Sequence, residues 1–159
     1  DDIGRNGLQA ALVDGACAEI TAVTNDLLHN CIGSRWTVTL DTQRSSADGK
    51  KQLEGFDVRV IDTEAGRDTT AETLSGGERV LVSEAISLAL TTLACRKAGV
   101  DRPTLIRDET GAALDPEKAR GYVAMLRRAA NQIGADRVLF VSHSREVQEM
   151  ADARIEVGQ

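Results

Sequence analysis

The second half of the sequence alternates between helical and strand-like segments, and this order restricts the fold more than any other feature. Apolar residues recur at helical spacing from Gly76 to Ala98 and again after Asp115, and short strand-like segments lie between and after these helices. The segment Val138–Val141 is continuously apolar, which is typical of a strand covered on both faces. Strands and helices that alternate at these lengths predict an α/β fold with a mostly parallel sheet flanked by helices.

Local signals define the ends of these elements. The helix 76–98 carries two adjacent apolar stripes, so we expect a broad buried face. Asp115 followed by Pro116 is a helix start, with an N-cap residue before proline at the first helical position. A short helix from Ser144 and a last strand, Ala153 to Val157, are predicted to complete the chain.

The first half has a different pattern. Apolar residues from Arg5 to His29 follow one face of a helix, at Leu8, Leu12, Ala16, Ile20, Val23 and Leu27. The alternating segments Trp36–Leu40 and Phe56–Ile61 flank a polar stretch, which predicts a small antiparallel hairpin with a long loop.

Composition and charge limit the class of protein. The sequence is 42% hydrophobic and 28% charged, as in an ordinary globular domain, and has no apolar run near the length of about 18 residues needed for a membrane span. The cysteines Cys17, Cys31 and Cys95 lack metal-ligand spacing, so we expect reduced thiols in a cytoplasmic protein. A net charge of −6 argues against a uniformly nucleic-acid-binding surface but allows a local basic patch. The chain opens without Met, and we expect it to be a piece of a longer protein.

The motif Leu74-Ser75-Gly76-Gly77-Glu78 stands at the start of the 76–98 helix. Glycines allow close approach of a ligand to the backbone, and a helix N-terminus offers N–H groups and a positive dipole to an anion. The alternative is purely structural, because Ser75 and Glu78 fit a capping box.

Polar residues also follow the predicted parallel strands. Asp108 and Glu109 end one strand and His143 follows the next, so all three are expected at the ligand-binding edge of the sheet. One carboxylate can hold Mg²⁺ while the other polarises water, and an imidazole can hydrogen-bond phosphate. Considered singly, the two acids are more simply interpreted as a solvated strand end, and His143 as a loop residue near Ser144. Their convergence with a helix N-terminus that can bind an anion favours a ligand-binding site instead.

These motifs, in this order, resemble the C-terminal half of ABC-type ATPase heads. Residues 74–78 resemble the signature motif, residues 104–109 the Walker B strand, and Ala113-Leu114-Asp115 the D-loop. The resemblance implies that Asp108 is the magnesium-associated acid, Glu109 the catalytic acid and His143 the switch histidine. Glu78 at the signature and the long apolar helix after it resemble SMC-like heads, and the amphipathic first helix followed by residues 35–40 resembles SbcC-type DNA-repair ATPases.

The resemblance implies one C-terminal ATPase lobe over residues 1–159. Residues 1–35 would be a helix returning from a coiled coil, residues 36–72 the hairpin, and residues 73–159 the motif-bearing core. It further implies ATP and Mg²⁺ as cofactors, with nucleotide sandwiched between two heads in DNA double-strand-break repair or DNA end processing. The implied partners are an N-terminal ATPase lobe, a second head, DNA and an SbcD-type nuclease subunit, at the nucleoid in the cytoplasm and without a membrane.

The phosphate-binding loop Gly-x-x-x-x-Gly-Lys-Ser/Thr is missing from this sequence. The pair Gly49-Lys50 has Arg44 in place of the first glycine and Lys51 in place of Ser/Thr. In SMC-like proteins that loop belongs to the N-terminal lobe, so we expect this chain to be inactive by itself.

Two departures from the resemblance leave an alternative open. Arg107 occupies a normally apolar Walker B position, where it must either extend to solvent or pair with an acid, and Thr110-Gly111-Ala112 replaces the usual residues after the acids. The alternative is therefore a non-hydrolysing structural or dimerisation lobe. A transporter-type ABC ATPase is disfavoured by the signature spacing and by the leading helix.

Overall fold

The computed structural model describes residues 5–45, 52–69, 73–108 and 114–156, with side chains over 11–40, 57–69, 73–108 and 114–156. In chain order these residues form α1 Arg5–Cys31, β1 Trp36–Ser45, β2 Gln52–Asp62, β3 Arg67–Thr69, α2 Gly76–Ala98, β4 Thr104–Asp108, α3 Pro116–Gln132, β5 Arg137–Val141 and α4 Arg145–Glu149.

Strands β4 and β5 are parallel, with Thr104 opposite Arg137 and Asp108 opposite Val141, and α3 is the crossover between them. Helix α2 ends at Gly99, whose left-handed backbone (φ 61°) suits glycine. The predicted α/β fold is confirmed, because helices and parallel strands alternate here as the sequence pattern indicated.

Strands β1 and β2 form the predicted antiparallel hairpin, extended beyond the predicted ends and with a bulge between Asp41 and Gln43. Asn25 of α1 fixes the helix across this hairpin, because its side-chain amide donates to the Val38 carbonyl and its amide oxygen accepts from the Val38 N–H, both at 2.8 Å. The short strand β3 pairs with β2 and was not predicted, since it is three polar residues long.

One hydrophobic core joins the hairpin to the α/β part. Its most deeply buried side chains come from α1, both sheets and the last three helices, and include Leu27, Leu28, Val38, Val60, Leu88, Leu105, Tyr122, Met125, Leu126 and Val147. The hairpin and the α/β elements therefore pack against each other as one body.

The expectation that Val138–Val141 is covered on both faces is wrong for this chain. Leu139 and Val141 are 47% and 54% exposed, and Ile106 on the neighbouring strand is 63% exposed. Residues alternate along a strand, so these three side chains share one face of the β4–β5 sheet while Leu105, Val138 and Phe140 face the helices. The described helices cover that inner face, and an apolar outer face is left open.

One further expectation is also wrong. The predicted last strand does not form over residues 153–156, where the backbone is irregular and Ile155 is 82% exposed; Val157 lies outside the described residues. A strand requires a neighbour for its backbone hydrogen bonds, and no described strand lies beside this segment. In α1, Leu12 is 65% exposed, because the first half of that helix extends past the core that buries Leu27.

Among the residues that the structure describes, no helix combines the length and the hydropathy needed to cross a membrane.

Candidate functional site

The start of α2 is held by a reciprocal cap. The Ser75 hydroxyl accepts a hydrogen bond from the Glu78 N–H at 3.3 Å, and the Glu78 carboxylate accepts from the Ser75 N–H at 2.9 Å. The structural interpretation of this motif is therefore correct, and it does not exclude the functional one. Leu74 is buried beneath the cap, whereas Ser75 and Gly76 are exposed at its tip.

The two glycines of this motif lie in different surroundings. A Cβ atom built on Gly76 would meet nothing within 4 Å, so its backbone is open to an approaching group. A Cβ atom on Gly77 would lie 2.9 Å from Lys118 Cδ and 3.7 Å from Leu114 Cδ2. Gly77 thus packs closely against the side chain of Lys118 at the start of α3, whereas Gly76 has free space around it.

Asp115 caps α3, accepting from the Lys118 N–H at 2.9 Å, and its carboxylate also binds the Lys118 ammonium. The contact with Lys118 lowers the pKa of Asp115 and raises that of Lys118. Because the Lys118 stem lies against Gly77, this lysine connects the N-termini of α2 and α3. Its role was not visible in the sequence, since no local pattern distinguishes Lys118 from a solvated lysine.

Arg35 is a second residue that the sequence reasoning missed. Its guanidinium lies 3.2 Å from the Asp62 carboxylate, 3.5 Å from Glu64 and 3.4 Å from Glu78, and it stacks 4.3 Å from the centre of the Trp36 ring. The hydrogen bond from Arg35 is the main cause of the lowered pKa of Asp62. Burial favours the neutral form of Glu78, but hydrogen bonds from Ser75 and the charge of Arg35 outweigh it and lower the pKa of Glu78. Arg35 thus ties the hairpin to the capping residue of α2.

The carboxyl edge of the β4–β5 sheet carries the second group of predicted residues. Asp108 ends β4 opposite Val141, and His143 follows Val141 by two residues, so both lie at this edge, and both side chains are exposed. Glu109, the predicted catalytic acid, lies outside the described residues, as do residues 110–113. The structure thus brings Asp108 and His143 to one edge of the sheet. A second group lies at the N-termini of α2 and α3, which Lys118 connects: Ser75, Gly77, Glu78 and Asp115.

Arg107 reaches a partner inside the protein. Its Nε lies 3.2 Å from the Glu84 carboxylate of α2, and the two side chains are only 15% and 12% exposed. Its Nη2 also donates to the Ser87 hydroxyl at 3.4 Å. Burial raises the pKa of Glu84, and the neighbouring guanidinium opposes that shift. Of the two outcomes expected for Arg107, pairing with an acid is the correct one.

Sequence comparison relates the chain to known proteins. It is 31% identical over 112 residues to the SbcC component of the SbcCD nuclease from Lactococcus lactis. That alignment covers 69% of this chain and 10% of the relative, so the chain spans about a tenth of the length of the curated relatives it matches. No protein-family model matches the chain.

Structural comparison identifies the fold. A solved structure from work on ATP-driven dimerization and DNA-stimulated activation of SMC ATPases matches with a TM-score of 0.68 at 15% identity, covering 94% of this chain and 82% of that chain. The SMC head domain from Thermotoga maritima matches with a TM-score of 0.55 at 19% identity, covering 91% and 44%. At these identities the likeness shows the fold alone, which is that of an SMC ATPase head. With the sequence relative, it confirms the resemblance to SbcC-type heads.

Proposed function

We propose that this chain, which is similar to SbcC-type proteins and has the SMC ATPase head fold, is the C-terminal half of an ATP-hydrolysing head that acts in DNA double-strand-break repair or DNA end processing. One observation carries the proposal: the edge that bears Asp108 and His143 borders an apolar sheet face that the described helices of this chain leave exposed. In this proposal Asp108 and His143 supply one half of a nucleotide site, and the exposed apolar face beside them binds another domain.

The partner that fits this surface is a lobe carrying a phosphate-binding loop. The sequence has no such loop of its own, and parallel sheets are rarely left bare on one face. Ile106, Leu139 and Val141 would be buried by that lobe, which brings its loop to the carboxyl edge of the strands, where α/β proteins bind ligands. We therefore expect isolated chains to lack ATPase activity.

The residues present at this edge fit a magnesium nucleotide. Asp108 offers a hard oxygen ligand in an exposed position, and Mg²⁺ commonly takes only one or two carboxylates besides phosphate and water oxygens. Bound Mg²⁺ would offset negative charge on the phosphates. In this proposal Asp108 orients that ion, Glu109 accepts a proton from the attacking water, and His143 donates a hydrogen bond to a phosphate oxygen.

The start of α2 would serve the nucleotide bound by an opposite head. The Ser75 hydroxyl is exposed at the tip of the helix, where it would donate a hydrogen bond to a phosphate oxygen. The open backbone at Gly76 and the helix dipole favour the same anion, while Asp115 would line the interface between heads. Loss of the γ-phosphate would then remove a group that both heads contact, and the heads would separate.

The remaining partners follow from the same proposal. DNA and an SbcD-type nuclease subunit are proposed as partners because the sequence relatives are named as parts of a nuclease. A protein that acts on chromosomal DNA in this way would be located in the cytoplasm, at the nucleoid.

The non-hydrolysing alternative was motivated by Arg107, but the pairing of Arg107 with Glu84 accommodates this residue without loss of Asp108. We therefore favour the hydrolysing head.

The test is reconstitution with a separately expressed lobe that carries the phosphate-binding loop. We expect magnesium-dependent ATP hydrolysis by the assembled head and none by either part. Glu109→Gln should abolish turnover while an ATP-dependent head dimer accumulates, measured by size-exclusion chromatography with light scattering. Undiminished turnover by this variant would remove Glu109 from its proposed role, and an inactive wild-type assembly would favour the non-hydrolysing lobe.

A further inference from the structure

The buried Arg107–Glu84 pair joins the two elements that carry proposed site residues, β4 and α2. Arg107 immediately precedes Asp108 on β4, and Glu84 lies about two helical turns beyond Gly77 on α2. The pair is thus a direct polar connection between the strand that carries the magnesium acid and the helix that begins at the signature residues.

Three contacts fix the Arg107 guanidinium in this position. Its Nε lies 3.2 Å from Glu84 Oε2, its Nη2 donates to Ser87 Oγ at 3.4 Å, and its Nη1 donates to the carbonyl of Ile106 at 3.2 Å. Two of these partners belong to α2 and one to β4 itself. The side chain therefore holds the last residues of the strand at one position along the helix.

The free energy of folding gives little reason for this pair. Burying two charges has a desolvation cost, and apolar residues of similar volume often replace a buried ion pair without loss of stability. Within the described residues, moreover, Arg107 Nε and Glu84 Oε2 are enclosed and lie at ion-pair distance without hydrogen-bond alignment. The other side chains on this face of the sheet, Leu105, Val138 and Phe140, are apolar. The charged pair next to Asp108 is thus better explained by an effect on the position of Asp108 than by a contribution to the free energy of folding.

We propose that Glu84 and Arg107 are positioning residues of the ATPase: their pair sets the end of β4, and with it Asp108, relative to the helix that starts at Ser75. This inference rests on the proposed function. It predicts that a folded protein without the pair places its metal ligand less accurately. Loss of a residue that orients a metal ligand typically lowers metal affinity or activity by about 10- to 100-fold.

The test compares the wild-type assembled head with the double variant E84M/R107M, which removes both charges and keeps similar side-chain volumes. We expect a melting temperature close to that of the wild type, a kcat lowered about tenfold and a higher Mg²⁺ concentration for half-maximal activity. Mn²⁺ binding in the presence of a non-hydrolysable ATP analogue, followed by electron paramagnetic resonance, should weaken by a similar factor. If the methionine pair impairs folding, E84Q/R107Q, which keeps hydrogen-bonding groups, takes its place.

The matched control is the ion pair at the opposite end of the same strands. Arg102 precedes β4 and binds Asp136 before β5 at 2.8 Å, so R102Q/D136N removes two charges far from the carboxyl edge. This control should keep wild-type kcat and Mn²⁺ affinity. A folded E84M/R107M head with wild-type kcat and wild-type Mn²⁺ affinity would overturn the positioning role while leaving the proposed function intact. A wild-type head that neither hydrolyses ATP nor binds Mn²⁺ with nucleotide would overturn both.

Discussion

The stem of Lys118 lies against the backbone of Gly77, so closely that a Cβ atom at residue 77 would be 2.9 Å from Lys118 Cδ. Lys118 in turn binds Asp115, the residue that caps α3. A side chain at residue 77 must therefore displace the lysine and disturb its contact with Asp115. At Gly76 there is no such conflict.

Gly77→Ala should accordingly be less stable than Gly76→Ala. Alanine generally favours a helix over glycine by about 0.5–1 kcal/mol, and only at residue 76 is that gain unopposed. We expect the two variants to differ by about 1 kcal/mol in the free energy of unfolding, measured with urea on this chain.

Lys118→Ala supplies the control for this comparison. In that background the displaced atoms are gone, so Gly77→Ala and Gly76→Ala should become equally stable. A difference that persists without the lysine would show that the conflict at residue 77 has another origin.

Removing the Arg35 guanidinium should loosen the start of α2. Arg35→Met keeps an apolar stem near Trp36 but loses the contacts with Asp62 and Glu78. We expect amide hydrogen exchange at residues 78–80 to accelerate by about two- to fivefold, in keeping with weak, partly exposed ion pairs, and the effect should shrink at high salt.

Arg59 is a matched control for Arg35. It is on the same hairpin, binds Asp68, and has a side chain 47% exposed against 45% for Arg35. Arg59→Met should leave exchange at residues 78–80 unchanged. Equal acceleration in both variants would point to a general loosening of the hairpin rather than to the contact with Glu78.

The contact between α1 and α3 should make stability depend on acid pH. Arg128 binds both Asp26 oxygens, at 2.6 and 2.7 Å, and Gln132 donates to the same carboxylate at 2.7 Å. The hydrogen bond from Arg128 is the largest cause of the lowered pKa of Asp26. A carboxyl whose pKa is lower in the folded state stabilises the fold above its unfolded pKa, and this contribution is lost as the pH falls through the folded value.

Asp26→Asn should therefore lower the free energy of unfolding at pH 7 by about 1–2 kcal/mol. This value is toward the low end of the range for hydrogen bonds to charged groups because the pair is partly solvated. Urea unfolding from pH 7 down to pH 3 should show the difference between wild type and variant narrowing below about pH 4. A difference that stays constant over this range would mean that the charge of Asp26 is not the source of its contribution.

The elements that the sequence predicted correctly are those with local signals. Ser75, Asp115 and Ser144 each precede a helix and cap it as their residue type suggests. The position of Asp108 and His143 at one edge also followed from local order, because consecutive parallel strands direct their carboxyl ends the same way. Their proposed chemical roles stay predictions that rest on the resemblance.

Contacts between distant segments could not be predicted. Arg35 and Glu78 are 43 residues apart, and nothing near either residue indicates the other. Ion pairing of Arg107 was one of two expected outcomes, but its partner Glu84 lies on a different element, and no local pattern near either residue indicates the pair. The apolar run at Val138–Val141 misled for a related reason: such a run indicates burial without indicating which chain or domain provides the cover.

The exposed face of the β4–β5 sheet gives the most direct test of assembly. Leu139 lies at its centre, opposite Ile106 in the register, and is 47% exposed. If a lobe with the phosphate-binding loop covers this face, Leu139→Glu places an unpaired charge in the interface, which is strongly unfavourable. We expect the Kd for that lobe, measured by isothermal titration calorimetry, to rise at least about tenfold, which corresponds to about 1.4 kcal/mol.

Leu90 of α2 provides the comparison, since it is also a leucine and is 49% exposed. Leu90→Glu should leave the Kd at its wild-type value because α2 packs on the opposite face of the sheet. Both variants should keep the melting temperature of this chain, since each leucine is already half exposed. Wild-type affinity in Leu139→Glu would mean that the lobe binds elsewhere. The apolar outer face of β4 and β5 would then need a different partner.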